Sequence, residues 1–236
     1  MKGERSEPGS YPLRGTRILM IDLHTHTLLT DGVLLPSELV RRCLVKGYKA
    51  LAITDHVDSS NVDFIVGRIV NISRKLNSTW KGIRVVPGVE ITHAPLEEIR
   101  ELIKYARGEG ARLVLAHGET LVEPVLTGTN RMALESDIDI LAHPGLITLS
   151  ETRLAKKRGI YLEITTRRGH SLTNGHVAKM ARTVGARLVL NTDSHTPGDL
   201  ITKDEARRVA KGAGLTDKEI EGMFKNSLEI LKSITY

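Results

Sequence analysis

The sequence is short of aromatic residues and has a single cysteine. Phe, Trp and Tyr make up 3% of its 236 residues, which argues against the row of stacking rings on which single-stranded nucleic acid lies. With Cys43 alone, the chain can form neither an internal disulfide framework nor a thiolate metal cluster. In its helical context that cysteine reads as a small buried apolar group. No apolar run approaches the ~20 residues that a membrane span requires. The polar N-terminus lacks the apolar segment of a signal peptide, so a cytoplasmic location and no membrane partner are expected. The chain also lacks a Walker loop and a Gly-x-Ser-x-Gly elbow, which removes P-loop nucleotide hydrolysis and serine-nucleophile chemistry.

What is present is an ordinary globular composition, 40% hydrophobic and 26% charged, at a length that fits one domain with a full core. The net charge of +6 suits a polyanion or draws phosphorylated substrates toward a metal site. Charge alone does not choose between them.

Residues 1–17 carry Gly, Ser, Pro and charge without periodicity and are expected to form a flexible tail. Residues 18–236 are expected to be a single barrel domain that includes the C-terminal helices. Val/Ile/Leu-rich runs at 18–23, 50–54, 84–89, 112–116, 138–142, 160–164 and 187–190 predict seven strands. Between and after them, amphipathic stretches predict helices from Pro36 to near Gly47 and over 61–77, 96–108, 151–158, 174–184, 203–212 and 216–232. In the last of these, Ile220, Met223, Phe224, Leu228, Ile230 and Leu231 form an apolar face that suits either the barrel or a dimer contact, so the oligomeric state stays open. Repeated β-then-α units imply an α/β fold with a parallel sheet and right-handed crossovers. An open doubly wound sheet fits this alternation too. Side chains converging from nearly every strand end favour a closed or nearly closed barrel.

Six of the nine histidines and three carboxylates stand at or just after those strand ends. His24 and His26 are two apart, so strand alternation turns both imidazoles to one side. Asp31 follows in the turn Thr30-Asp31-Gly32, which can return its carboxylate to the same mouth. Of the adjacent pair Asp55 and His56, His56 reads as a ligand and Asp55 as its support. Glu90 ends the run Val85-Val86-Pro87-Gly88-Val89, where a carboxylate can bridge two cations ~3.5–4 Å apart. His117 and His143 end further strands, and Asp193 with His195 repeats the two-residue spacing. Nitrogen and carboxylate donors without thiolate suit two or three divalent ions such as Zn²⁺, Mn²⁺ or Fe²⁺ better than Ca²⁺.

Together, Asp22-Leu23-His24-Thr25-His26-Thr27 with Thr30-Asp31-Gly32, Thr54-Asp55-His56, Gly88-Val89-Glu90-Ile91, Ala142-His143-Pro144 and Asp193-Ser194-His195 resemble the polymerase-and-histidinol-phosphatase (PHP) family. The resemblance runs from about residue 18 to 200. It implies a distorted seven-stranded (β/α)7 barrel of the PHP type with a trinuclear metal site at the strand C-termini. It further implies that His24, His26, Glu90 and Asp193 hold the first ion, Glu90, His117 and His143 the second, and Asp31, His56 and His195 the third.

Such a positive cavity suits a compact anion such as phosphate. The expected activity is therefore metal-dependent hydrolysis of a small phosphomonoester, histidinol-phosphate-phosphatase-like, by metal-activated hydroxide. Glu90, Asp193 and His195 are the expected catalytic residues. After the sixth strand, Arg167, Arg168 and His170 are expected to overhang the site and bind substrate together with His93. Ser171, Thr173 and Asn174 are candidate caps of the next helix, whereas His176 within it reads as structural. Two other functions share the fold: a phosphodiesterase or exonuclease acting on nucleotides or short oligonucleotides, and a non-catalytic RNA-binding subunit like the ribonuclease P protein that resembles it. Few aromatics and loops of ordinary length favour the monoesterase.

Overall fold

Branched aliphatic runs pair as strands because the pleated surface accommodates their stiff side chains. In the computed structural model, which describes residues 19–234, these runs give β1 (Met20–Asp22), β2 (Tyr48–Ile53), β3 (His56–Val57), β4 (Arg84–Ile91), β5 (Leu113–His117), β6 (Ile140–Ala142), β7 (Tyr161–Thr165) and β8 (Leu188–Asn191). Helices α1 (Pro36–Val45), α2 (Val62–Thr79), α3 (Ile99–Gly108), α4 (Thr129–Leu134), α5 (Leu149–Arg158), α6 (Asn174–Val184), α7 (Lys203–Gly212) and α8 (Asp217–Ser233) lie between and after them. The tail expected at 1–17 lies outside the described residues.

The strands pair in the order β1-β2-β4-β5-β6-β7-β8, with β3 beside β4. Every pairing between them is parallel. The run expected at 50–54 breaks after Ile53 and resumes at His56, in register with Glu90. Thr54 leaves the ladder because it bonds across the rim: its amide donates to Thr25 O at 2.8 Å, and its hydroxyl accepts from the Thr25 amide at 3.1 Å.

No ladder joins β1 to β8. The seam is closed instead by Leu23 N–H to Asn191 Oδ1 at 2.9 Å, Thr192 N–H to Asp22 Oδ1 at 3.1 Å, and Asp193 N–H to His24 O and His26 N–H to Ser194 O, both at 2.9 Å. The result is a nearly closed parallel barrel of seven main strands with helices outside.

Alternation divides the apolar residues into two clusters. Ile21, Ala50, Val86, Leu113, Leu115, Ile140 and Val189 fill the barrel, together with Ile230 and Leu231 of α8. The outward residues Leu51, Ile53, Val85, Leu162 and Ile164 pack against helical residues such as Leu39, Ile65 and Ile103. Each fully buried aliphatic side chain contributes about 1.5–3 kcal/mol to the collapse. Helix α8 is anchored at the strands' N-terminal ends, where Asn226 Nδ2 donates to Leu188 O at 2.7 Å and Arg84 Nη2 to Ile234 O at 2.7 Å. Helix α4 was not expected, because its six residues are too short to show a period; it starts from Gly128, whose φ is 99°. Among the described residues no helix is long and apolar enough to cross a membrane.

Candidate metal centre

The interior register of each strand runs on into a polar side chain at its upper end. Val86 leads by steps of two to Glu90, Leu113 and Leu115 to His117, Tyr161 to Glu163, and Val189 through Asn191 to Asp193. Inward alternation that fills the barrel with hydrocarbon therefore delivers donors at its mouth. Three of the residues gathered there, His93, His143 and Asp193, have positive φ of 51°, 25° and 52°, a strained conformation for side chains of this kind. Asp31 is returned to the mouth by the turn closed by Gly32, where an added Cβ would lie 2.7 Å from the carbonyl of His26.

Glu90 sits at the centre, fully buried. Its Oε2 lies 3.2 Å from His24 Nε2, 3.5 Å from His26 Nε2 and 3.0 Å from His56 Nδ1, while Oε1 lies 3.5 Å from His143 Nε2. The two oxygens thus face different histidines. Asp193 does likewise, with Oδ1 3.2 Å from His26 Nε2 and Oδ2 3.6 Å from His143 Nε2. Asp31 Oδ2 is 3.0 Å from His195 Nε2 and 3.4 Å from His56 Nε2. His117 lies beside His143, with ring centroids 4.4 Å apart, so all nine expected residues are brought together. Among the described residues five groups have donor atoms mutually within 4.8 Å: His26, Asp31, His56 and His195; His24, His26 and Asp193; His24, Glu90 and His143; His117, His143 and His170; and His93, His117 and Glu123.

Many of these atoms are buried without a hydrogen-bond partner: His24 Nε2, both ring nitrogens of His26, both oxygens of Glu90, His143 Nδ1 and Asp193 Oδ1. Orphaned buried polar atoms are costly singly, and here they converge on one small volume. That is the pattern expected where cations supply the missing partners. Around them, neighbouring groups fix the rings. His24 Nδ1 is 2.9 Å from Glu163 Oε1, His117 Nδ1 is 3.1 Å from Gly118 O, and His195 Nδ1 is 3.0 Å from Asp193 O. These oxygens only accept, so Nδ1 carries the proton and Nε2 offers its lone pair, the usual orientation of ligating histidines.

The carboxylate of Asp55 is engaged by its neighbours: it accepts from Thr27 N and Oγ1 at 2.7 Å each and from Thr30 Oγ1 at 2.9 Å. Glu163 was given no role by sequence reasoning. It holds His24, accepts from the His143 amide at 3.1 Å and from Asn191 Nδ2 at 2.8 Å. A lone carboxylate in the apolar run Tyr161-Leu162-Glu163-Ile164 was the available signal.

The electrostatics alternate. Burial works against its charge, yet Glu90, Glu163 and Asp193 raise the pKa of His24 well above the ordinary value. His56, also opposed by burial, is held up to about 10 by Asp31 and Glu90. Burial and the neighbouring His56 push His26 down to about 3, and burial with His117 lowers His143. Glu90 stays ionised because His24, His143 and His56 outweigh its burial. Without cations, protons on His24 and His56 supply the positive charge that these carboxylates require.

The mouth is a cleft of about 240 Å³ whose lining includes Asp31, His56, His143, Asp193 and His195 together with His93, Glu123, Arg167 and His170. Arg167 reaches inward, with Nε 3.9 Å from Asp193 Oδ2 and Nη1 3.7 Å from Asp199 Oδ2. Arg168 does not join it. Its side chain is exposed and lies outside the cleft lining, because inward alternation continues from Thr165 to Arg167. The expected helix caps also differ: Thr173 makes no side-chain cap bond, and Asn174 instead exchanges bonds with the backbone of Thr165. His176 Nε2 bonds Ile147 O at 2.8 Å, away from the mouth.

A family model described as the PHP domain matches residues 22–122. Over 218 residues the chain is 45% identical to an uncharacterized protein of Methanocaldococcus jannaschii, spanning 92% of this chain and 100% of that one.

The chain belongs to the PHP family.

A probable phosphatase of Thermoanaerobacter sp. is 24% identical over 84% of this chain and 88% of its own length. Among solved structures, a chain of an archaeal ribonuclease P with mature tRNA has a TM-score of 0.69 at 17% identity, covering 90% of both chains. Histidinol phosphate phosphatase of Lactococcus lactis, complexed with zinc, L-histidinol and phosphate, has a TM-score of 0.57 at 18% identity, covering 84% of this chain and 94% of that one. At these identities the structural likeness speaks for the fold. The donor set of this PHP chain, imidazole and carboxylate without thiolate, fits divalent ions, as do its orphaned atoms.

Proposed function

We propose that this PHP chain is a metal-dependent phosphoesterase that hydrolyses a small phosphomonoester in the manner of histidinol-phosphate phosphatases. The observation that carries the reading is the convergence of partnerless buried imidazole and carboxylate atoms on a cleft with an arginine in its wall. His24, His26, Glu90 and Asp193 would hold one ion, Glu90, His117 and His143 a second, and Asp31, His56 and His195 a third. When bound, zinc, manganese or iron ions lower the pKa of water and offset charge on the phosphoryl oxygens. Glu90, with its two oxygens facing different histidines, would serve two of these ions. Arg167 offers a fork of donors to a non-bridging phosphoryl oxygen. Its contacts to Asp193 and Asp199 hold that fork at the wall. His93, half-exposed at the mouth, would meet the leaving group. Asp193 and His195 line the inner wall, where they can steady the departing oxygen. A cleft of about 240 Å³ suits phosphate with a compact leaving group better than a polynucleotide.

An RNA-binding role is the second reading, favoured by the likeness to the ribonuclease P chain and the charge of +6. Both are tested by a Mn²⁺- or Zn²⁺-supplemented panel of histidinol phosphate, nucleoside monophosphates, a bis-ester and a short oligonucleotide. Phosphate release from monoesters that falls about 10²-fold or more in His143→Ala is expected, the scale on which groups stabilising developing charge act. Cleavage confined to diesters would move the substrate to the exonuclease class. Inactivity of a metal-loaded sample that retains structured RNA would favour the binding subunit.

A further inference from the structure

Two residues outside the family's ligand pattern face the second ion's position. The loop from Gly118 to Gly128 is pinned at both ends by Glu119, whose Oε1 accepts from the amides of Gly128 at 3.0 Å and Asn130 at 2.9 Å. That clamp turns Glu123 inward. Its Oε2 lies 3.0 Å from His117 Nε2, and its Oε1 lies 3.2 Å from His170 Nε2. His170 is itself buried. Thr120 Oγ1 holds its Nδ1 at 2.7 Å, and its ring stacks on His143 at 4.2 Å and 16°. His117, His143 and His170 have donor atoms mutually within 4.8 Å.

The His117 contact places two atoms that need a positive charge between them. Gly118 O fixes the proton of His117 on Nδ1, so in the neutral ring Nε2 and the Glu123 carboxylate are two acceptors 3.0 Å apart. That spacing repels unless a proton on Nε2 or a metal cation stands between them, and, against burial, Glu123 raises the His117 pKa. Atoms sharing a divalent ion at ~2.1 Å are separated by about 3.0–3.4 Å, which is the range of these contacts.

We infer that Glu123 and His170 are additional ligands of the ion held by His117 and His143, so that residues from the loops after β5 and β7 enclose this one position. This rests on the multinuclear reading above. It gives the second ion a fuller protein shell than the others and leaves it fewer places for water or substrate. The shell is rigid because Thr120 and Glu119 fix both loops.

The test is Co²⁺ titration of the chelator-treated full chain, followed through the visible absorption of the ion and by competition with a chelating dye, for wild type, Glu123→Gln, His170→Gln and Thr120→Val. Circular dichroism establishes that each variant is folded. Expected is a loss of at least ~10-fold in affinity for one Co²⁺ in the first two variants, with a spectrum shifted toward lower coordination, and a smaller loss in Thr120→Val. Wild-type affinity and spectrum in folded Glu123→Gln and His170→Gln would overturn the inference and leave both residues as substrate contacts. Failure of the wild type itself to bind Co²⁺ would instead overturn the multinuclear reading on which it stands.

Discussion

Glu163 orients the imidazole of His24, the amide of His143 and the side chain of Asn191 at once. Replacing it with Gln keeps the shape but leaves one acceptor oxygen where there were two, so an NH2 group must face either the donors of His24 and Asn191 or the His143 amide. Glu163→Gln is expected to bind divalent ions about 10–100-fold more weakly, measured by chelator competition; unchanged affinity would remove its orienting role. Cys43 is the opposite kind of residue. It is fully buried, and burial pushes its thiol pKa upward, so a thiol reagent should react only after denaturant unfolds the chain. Prompt reaction in the native protein would contradict the packing around α1. At this scale the candidate ligands were legible because most of them end an aliphatic run at a fixed step, whereas Asp31 was read from its turn. Glu123 was not, since it lies in a loop without periodicity, and Arg168 misled because sequence adjacency does not say which of two arginines faces inward.

Elements succeed or fail at their ends. Helix α8 opens with a capping box in which Thr216 and Glu219 satisfy each other's backbone groups, and α5 and α7 do the same with Thr148–Glu151 and Thr202–Glu205. Thr216→Ala should lower stability by about 0.5–2 kcal/mol, read from the denaturant midpoint, with hydrolysis unaltered because α8 packs at the opposite end of the barrel from the cleft. Gly118 makes the contrasting case. A Cβ there would lie 2.3 Å from Ala142 O, so Gly118→Ala should destabilise by about 1–3 kcal/mol and reduce hydrolysis by displacing the backbone beside His117; full activity would show that this approach is not required. Long amphipathic helices and aliphatic strands were readable from period. The break between β2 and β3 was not, because it arises from Thr54 bonding Thr25 across the rim.

Across the whole molecule, the barrel is an apolar cylinder with a cluster of charge at one end. In the metal-free chain, His56 has its pKa raised to about 10 against an ordinary 6.5. A raised histidine pKa contributes stability that is fully present below about 6.5 and lost as pH rises through about 10. The chelated protein should therefore lose thermal stability between pH 7 and pH 10. Cations compete with those protons, so metal affinity should rise over the same range and loading should release protons. A chelated chain that gains stability with rising pH would contradict this charge balance. The most direct test of the account counts divalent ions per folded chain by native mass spectrometry after Zn²⁺ or Mn²⁺ loading, in wild type and in Glu90→Gln. More than one tightly held ion in the wild type, with fewer in the variant, is the predicted result. A folded wild-type chain that holds none would contradict a multinuclear centre built from these strand ends.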